Sequence, residues 1–235
     1  MRRLVLWDVD GTLVHYGGLG WEAFLDAFLA VMGRPASGAD GTVITLAGRT
    51  DLEIALDLLA AQEVPDGEAR MAEFGTALEK ALAAKAAIMR QRGWALPGAE
   101  EALAAVQREP EVVQSLLTGN LKANAVLKVA TFGLDRYVDL DVGAYGSDHR
   151  DRPELVAVAR ARAKAKYGVE LDPRATVLIG DTPLDVAAAR PAGARVIAVA
   201  SGRYDADVLR ATGADVVLPD LRDTAAVLHA VLADP

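Results

Sequence analysis

The sequence predicts an α/β fold, a doubly wound, Rossmann-like parallel sheet with a helical cap inserted after its first strand. Three observations carry that expectation. Short runs rich in Val, Ile and Leu recur along the chain, each closed by turn residues and followed by a helical pattern. Acids and hydroxyls collect at the C-terminal ends of those runs, where open α/β sheets bind their ligands. About 90 residues follow the first run before the next unit begins, although an ordinary crossover needs only about 30.

The first strand is read over Leu4-Val5-Leu6-Trp7 and ends at Asp8. The second covers Val112 to Leu117 and ends at Thr118-Gly119-Asn120. The third, Thr176 to Ile179, ends at Gly180-Asp181, and the fourth, Val196 to Ala200, at Ser201-Gly202. Weaker strand patterns lie near Tyr137 to Val142 and Asp215 to Leu218. Within the long interval, Trp21, Phe24, Leu25, Phe28, Leu29 and Met32 recur at helical spacing, an apolar stripe read as core. Thr50-Asp51-Leu52-Glu53 has the form of a capping box opening a second helix. A third helix is expected from about Gly67 to Arg90. Gly17, Gly18 and Gly20 before this interval, and Gly93, Pro97 and Gly98 after it, suit hinges. The expected division is an α/β core of residues 1–15 and 95–235 and a helical cap of residues 16–94.

Composition narrows the function classes. With 52% hydrophobic residues among 235, the chain can build a sizeable core. A net charge of −8 argues against nucleic acid as a partner. The basic stretch of Arg150, Arg160, Arg162, Lys164 and Lys166 reads as the solvated face of a helix. There is no cysteine, which excludes disulfides and thiolate chemistry. No apolar run is long enough for a secretory signal or a membrane span, so a cytoplasmic monomer or homodimer is expected.

Asp8-Val9-Asp10-Gly11-Thr12 is the most informative stretch. Two carboxylates directly after a buried strand require a cation or a shared proton, because burying them alone costs several kcal/mol. Gly11 permits a sharp turn and Thr12 adds a hydroxyl at the mouth. Thr118, with the amides of Gly119 and Asn120, could hold a phosphate oxygen. Asp181 ends a central strand facing the acid pair, which is most simply the position of a metal ligand. Asp185 has a competing use, since Thr182-Pro183-Leu184-Asp185 is also a good helix start. Hard oxygen donors, no cysteine and three scattered histidines favour Mg²⁺ over Zn²⁺.

In order, and each on a strand end, DxDGT at Asp8 to Thr12, the threonine at Thr118 and GDxxxD at Gly180 to Asp185 resemble the haloacid dehalogenase-like superfamily, in its phosphatase branch with a C1-type helical cap. The resemblance spans the whole chain. It implies a Mg²⁺-dependent hydrolase of a small phosphate ester, with Asp8 as the nucleophile that becomes an aspartyl phosphate and Asp10 as general acid and then base. The same resemblance implies that the Asp8 carboxylate, the Asp10 backbone carbonyl and Asp181 hold Mg²⁺, with Asp185 as a direct or indirect ligand, and that Thr118 binds phosphoryl oxygens. The second acid favours phosphoryl transfer over dehalogenation, since a leaving alkoxide needs a proton. A phosphomutase would share every one of these residues, and a non-catalytic phosphate-binding module is the remaining alternative.

One motif departs from the family pattern. Where a lysine, often Lys-Pro, is usual, this chain reads Asp151-Arg152-Pro153-Glu154. Arg152 is the preferred replacement and Lys122 the other candidate, and either also suits a solvated helix start. Gly48-Arg49-Thr50-Asp51 opens a helix of the expected cap, so Arg49 is a candidate contact for a distal anion on a phosphoglycolate-like substrate or a sugar phosphate.

Overall fold

A computed structural model of the protein describes residues 3–37 and 44–233. The chain begins with β1 (Arg3–Trp7) and β2 (Val14–His15), then enters a helical segment of α1 (Leu19–Met32), α2 (Asp51–Ala61), α3 (Met71–Ala84) and α4 (Ala86–Arg92). It returns through β3 (Trp94–Ala95), which pairs antiparallel with β2, and the His15 ring stacks on Trp94 with centroids 4.1 Å apart. The two connections between helical segment and sheet are thus tied to each other as a short ribbon. From there α5 (Ala99–Gln107), β4 (Val112–Thr118), α6 (Lys122–Thr131), β5 (Ala144–Tyr145) and α7 (Arg152–Tyr167) follow. The remainder is β6 (Thr176–Gly180), α8 (Pro183–Ala189), β7 (Arg195–Val199), α9 (Ala206–Ala211), β8 (Val216–Leu218) and α10 (Thr224–Leu232).

The six-stranded sheet has the order β5-β4-β1-β6-β7-β8 and every pairing in it is parallel. A parallel sheet buries both faces, so alternate residues of β1 divide between two cores. Val5 and Trp7 pack with α5, α6 and α10, while Leu4 and Leu6 pack with α7 and α8. A third cluster, built on Phe24, Phe28, Leu58 and Phe74, holds the helical segment together. One buried polar knot fastens the first core. Gln114 accepts from the Trp7 indole at 3.0 Å and donates to the carbonyls of Leu103 and Tyr137, each at 2.8 Å. At the far end Arg3 and Arg195 donate to carbonyls of the last turn of α10, at Ala230 and Val231, and to that of Ala233 just after it, where a helix leaves its acceptors unpaired.

Several expectations need correction. The strand pattern near Tyr137 to Val142 is a 3-10 turn at Asp135–Tyr137 followed by a loop, and the strand forms at Ala144–Tyr145. The Asp139 carboxylate accepts from the Asp141 amide at 3.1 Å, a local turn that removes this stretch from the ladder. The long third helix divides into a 3-10 turn at Gly67–Arg70 and then α3 and α4, separated at Lys85, whose amine pairs with Asp26 at 2.7 Å. Leu29 of the apolar stripe is 47% exposed. The basic stretch is not simply a solvated face. Arg160 donates to Thr176 and to the Ala192 carbonyl, and Arg162 to Asp148, tying α7 to neighbouring loops. No described helix is long and apolar enough to cross a membrane.

Candidate active site

The C-terminal ends of β1, β4 and β6 bring their polar residues together beneath the helical segment. Asp8 continues β1, its amide donating to the Ile179 carbonyl at 2.8 Å, and is buried. Gly11 then turns with φ 84°, and a Cβ there would fall 2.4 Å from an Asp181 carboxylate oxygen. Any other residue would be strained by this turn and would displace Asp181. Thr12 is fully buried and donates its hydroxyl to Asp181 at 3.1 Å.

Asp8, Asp181 and Asp185 each offer a carboxylate oxygen, and these oxygens lie within 4.8 Å of one another. Burial pushes the Asp8 carboxyl up to about 7, with Arg152 opposing and the Asp185 and Asp10 charges adding to the rise. Asp181 is pushed to about 8, again by burial first and then by Asp8 and Asp185. Three converging acids against one guanidinium are short of positive charge, and an all-oxygen donor set suits a hard divalent cation such as Mg²⁺. The residues present therefore fit such an ion.

The Asp185 carboxylate is already engaged. It accepts from the Thr182 amide at 2.9 Å and the Thr182 hydroxyl at 2.8 Å, completing the capping box of α8, and it also accepts from Arg152. Arg152, at the start of α7, is buried and spans three partners: Asp185, Asp8 at 2.9 Å and the Gly48 carbonyl at 2.9 Å. Its Nε has no hydrogen-bond partner among the described residues.

Of the two sequence-level cation candidates, the structure brings only Arg152 to the carboxylates. The Lys122 side chain is exposed and lies over the Tyr145 ring at 5.4 Å. The second cation of the site is Lys128 on α6, which the sequence reading missed. Its buried amine donates to Asp10 at 2.5 Å and to the Asn120 carbonyl oxygen, and sits 3.9 Å from the centre of the Tyr16 ring. The Asn120 amide donates to the same Asp10 oxygen at 2.9 Å, so Oδ2 is doubly held while Oδ1 is buried with no partner among the described residues. Thr118 ends β4, and its hydroxyl accepts from the Asn120 amide nitrogens at 3.1 and 3.3 Å. A lysine four residues after Asn124, on a helix face that buries Ala125 and Val129, is the sequence signal that could have found Lys128.

The helical segment rests on this site through backbone. The Asp51 amide donates to the Gly119 carbonyl at 2.8 Å, and the Leu121 amide donates to the Asp51 carboxylate at 2.8 Å. A Cβ on Gly119 would meet the Arg49 carbonyl at 2.1 Å, so only glycine allows this approach. Arg49 reaches the same cavity, but its guanidinium is taken by Asp57 at 2.7 Å and lies 4.0 Å from Glu53. The cavity enclosed between the strand ends and the helices has a volume of about 560 Å³.

Comparisons with known proteins agree with this architecture. The model of the haloacid dehalogenase-like hydrolase family matches residues 5–190. The chain is 31% identical to a plasmid-encoded phosphoglycolate phosphatase of Cupriavidus necator over 95% of this chain and 92% of that protein. It is 28% identical to the "Probable phosphatase IndB" of Dickeya dadantii over 99% and 96%. Among solved structures, a hydrolase from Pseudomonas syringae superposes with a TM-score of 0.70 at 19% identity, covering 99% of this chain and 100% of that one. CbbY from Rhodobacter sphaeroides, solved in complex with phosphate, superposes with a TM-score of 0.64 at 20% identity, covering 95% and 96%. With the family model matching most of the chain and the acid-bearing strand ends converging as described, the protein belongs to the haloacid dehalogenase-like hydrolases.

Proposed function

We propose that the protein hydrolyses a small phosphate monoester with Mg²⁺, carrying the phosphoryl group on Asp8 before passing it to water. The observation that carries this reading is the pairing of two different carboxylate environments two residues apart. Asp8 sits buried among Asp181, Asp185 and Arg152, whereas Asp10 has one oxygen clamped by Lys128 and Asn120 and the other without a partner among the described residues. That division of labour suits a nucleophile beside a proton carrier.

The Asp8 and Asp181 carboxylates and the Asp10 backbone carbonyl would hold Mg²⁺, with Asp185 acting through Arg152 and the start of α8. When bound, the ion supplies charge that lets a carboxylate approach a phosphate group. Asp8 Oδ attacks phosphorus, and the P–O bond to the leaving alcohol breaks as the aspartyl phosphate forms. Asp10 gives its proton to the departing oxygen and, as carboxylate, takes one from the water that cleaves the acyl phosphate. Lys128 and Asn120 fix Oδ2 of Asp10, so that Oδ1 does the proton transfer. Arg152 orients Asp8, and its Nε, without a partner among the described residues, is a donor for a phosphoryl oxygen. The Thr118 hydroxyl and the amide of Gly119 are further donors to that group. We assign the helical segment between β2 and β3 the role of a cap that shields the intermediate and encloses the leaving group.

Phosphate release from a panel of small esters, assayed with Mg²⁺ and then with EDTA, tests the reading. Release that needs the metal supports it. Release that survives chelation removes the metal from the account, and an absence of release from any ester removes the phosphatase reading.

A further inference from the structure

The cavity beneath the helices has two chemically different ends. The strand-end floor is polar and carries the acids and donors already described. The opposite wall is built by Phe24 of α1, Ile54 of α2, and Leu78 and Leu82 of α3, all buried and belonging to the apolar core of the helical segment. Three of the cations that line the cavity are already paired. Arg49 is held by Asp57, Lys128 by Asp10 and Asn120, and Arg152 by Asp8 and Asp185. His15 is stacked on Trp94, and its Nδ1 accepts from the Gly17 amide at 3.3 Å. Arg203 is exposed and follows Gly202, whose backbone abuts Asp181, which places its backbone on the strand-end side of the cavity. The helical side also carries the buried Asp51 carboxylate, which accepts from the Leu121 amide.

A second anionic group on the substrate would therefore meet apolar side chains and a carboxylate, with no uncommitted cation among the described residues of that wall. Burying a charge without a partner is among the larger penalties a binding site can impose. The volume points the same way. A cavity of about 560 Å³ is of the size that encloses a drug-sized ligand, and a two-carbon acid would leave most of it to water. Resting on the phosphatase reading above, we infer that the substrate is the phosphate monoester of an uncharged alcohol with a ring-sized body that lays an apolar face against Phe24, Ile54, Leu78 and Leu82. Phosphorylated carboxylic acids and bisphosphates are disfavoured.

A matched pair of esters isolates the charge from size and shape. With wild-type protein and Mg²⁺, kcat/KM is measured for benzyl phosphate and for its para-carboxylate counterpart, with 2-phosphoglycolate and methyl phosphate alongside. The expected result is a kcat/KM for benzyl phosphate at least about 10²-fold above that of the carboxylated ester, the scale set by an unpaired buried charge. Benzyl phosphate is also expected to exceed both 2-phosphoglycolate and methyl phosphate. Equal or better turnover of the carboxylated ester or of 2-phosphoglycolate overturns the inference and leaves the phosphatase reading intact. No release from any of the four esters overturns the phosphatase reading itself, and the inference with it.

Discussion

At the scale of single residues, the site separates groups whose chemistry is written in the motif from groups that only the fold brings in. Asp8, Asp10, Thr118, Asp181 and Asp185 were legible because each lies at a strand end or in the few residues after one, and parallel strand ends converge whatever lies between them. Lys128 and Asp51 were not, because a lysine inside α6 and an acid opening α2 read as ordinary helix residues until packing brings them to Asp10 and Leu121. Arg152 and Lys122 each open a helix, and only the packing of α7 against Asp8 and Asp185 separates them, since Lys122 at the start of α6 lies over Tyr145. Two substitutions follow from these contacts. Asp8→Asn is expected to lower turnover at least about 10³-fold with the fold retained, as measured by phosphate release and circular dichroism. Lys128→Met removes one of the two donors to Asp10 Oδ2 and is expected to lower kcat about tenfold to a hundredfold, within what a proton-transfer group supplies, while Lys122→Ala stays at wild-type rate. A Lys128→Met enzyme with unchanged kcat would remove Lys128 from the account.

At the scale of elements, capping chemistry explains why two helices start where they do and what they carry. Thr50 and Glu53 form a complete capping box at α2, and Thr182 and Asp185 form one at α8. The sequence showed both patterns, yet it left open whether Asp185 caps or binds. Its carboxylate caps α8 through Thr182 and accepts from Arg152, and it also lies within 4.8 Å of the Asp8 and Asp181 carboxylate oxygens. The α2 start also presents Asp51 to the loop after β4, where burial pushes its carboxyl up to about 6 against the pull of Lys128. The sign follows from that rise. A docked state with a raised carboxyl pKa holds its proton longer than an undocked one, so docking is fully stabilised below 3.8 and weakens as pH rises towards about 6. Limited proteolysis of the segment between β2 and β3 is expected to be slower at pH 5 than at pH 7. Asp51→Asn, which keeps an acceptor for the Leu121 amide, is expected to remove most of that difference.

At the scale of the whole molecule, the sheet order and the insertion explain how one short motif becomes an enclosed site. β1 is central, flanked by β4 and β6, so three of the chemistry-bearing strand ends are neighbours. The Val, Ile and Leu runs made that sheet legible. The edge strand β5 was misplaced because an aspartate turn interrupts an otherwise apolar stretch, and the break at Lys85 depends on acids in α1 that no local pattern reports. Gln114 was likewise invisible as a structural residue within an apolar strand. Gln114→Leu leaves the Trp7 indole and two carbonyls unpaired in the core, and is expected to destabilise the protein by about 2–3 kcal/mol in denaturant unfolding. During turnover the phosphoryl group is expected to rest on Asp8. The most direct measurement is mass spectrometry of protein acid-quenched during steady turnover of an aryl phosphate with Mg²⁺. The account predicts one phosphoryl group on the peptide that contains Asp8, absent from Asp8→Asn protein and absent when EDTA is present from the start. Full turnover by protein that carries no phosphoryl group on that peptide, or by Asp8→Asn protein, would contradict it.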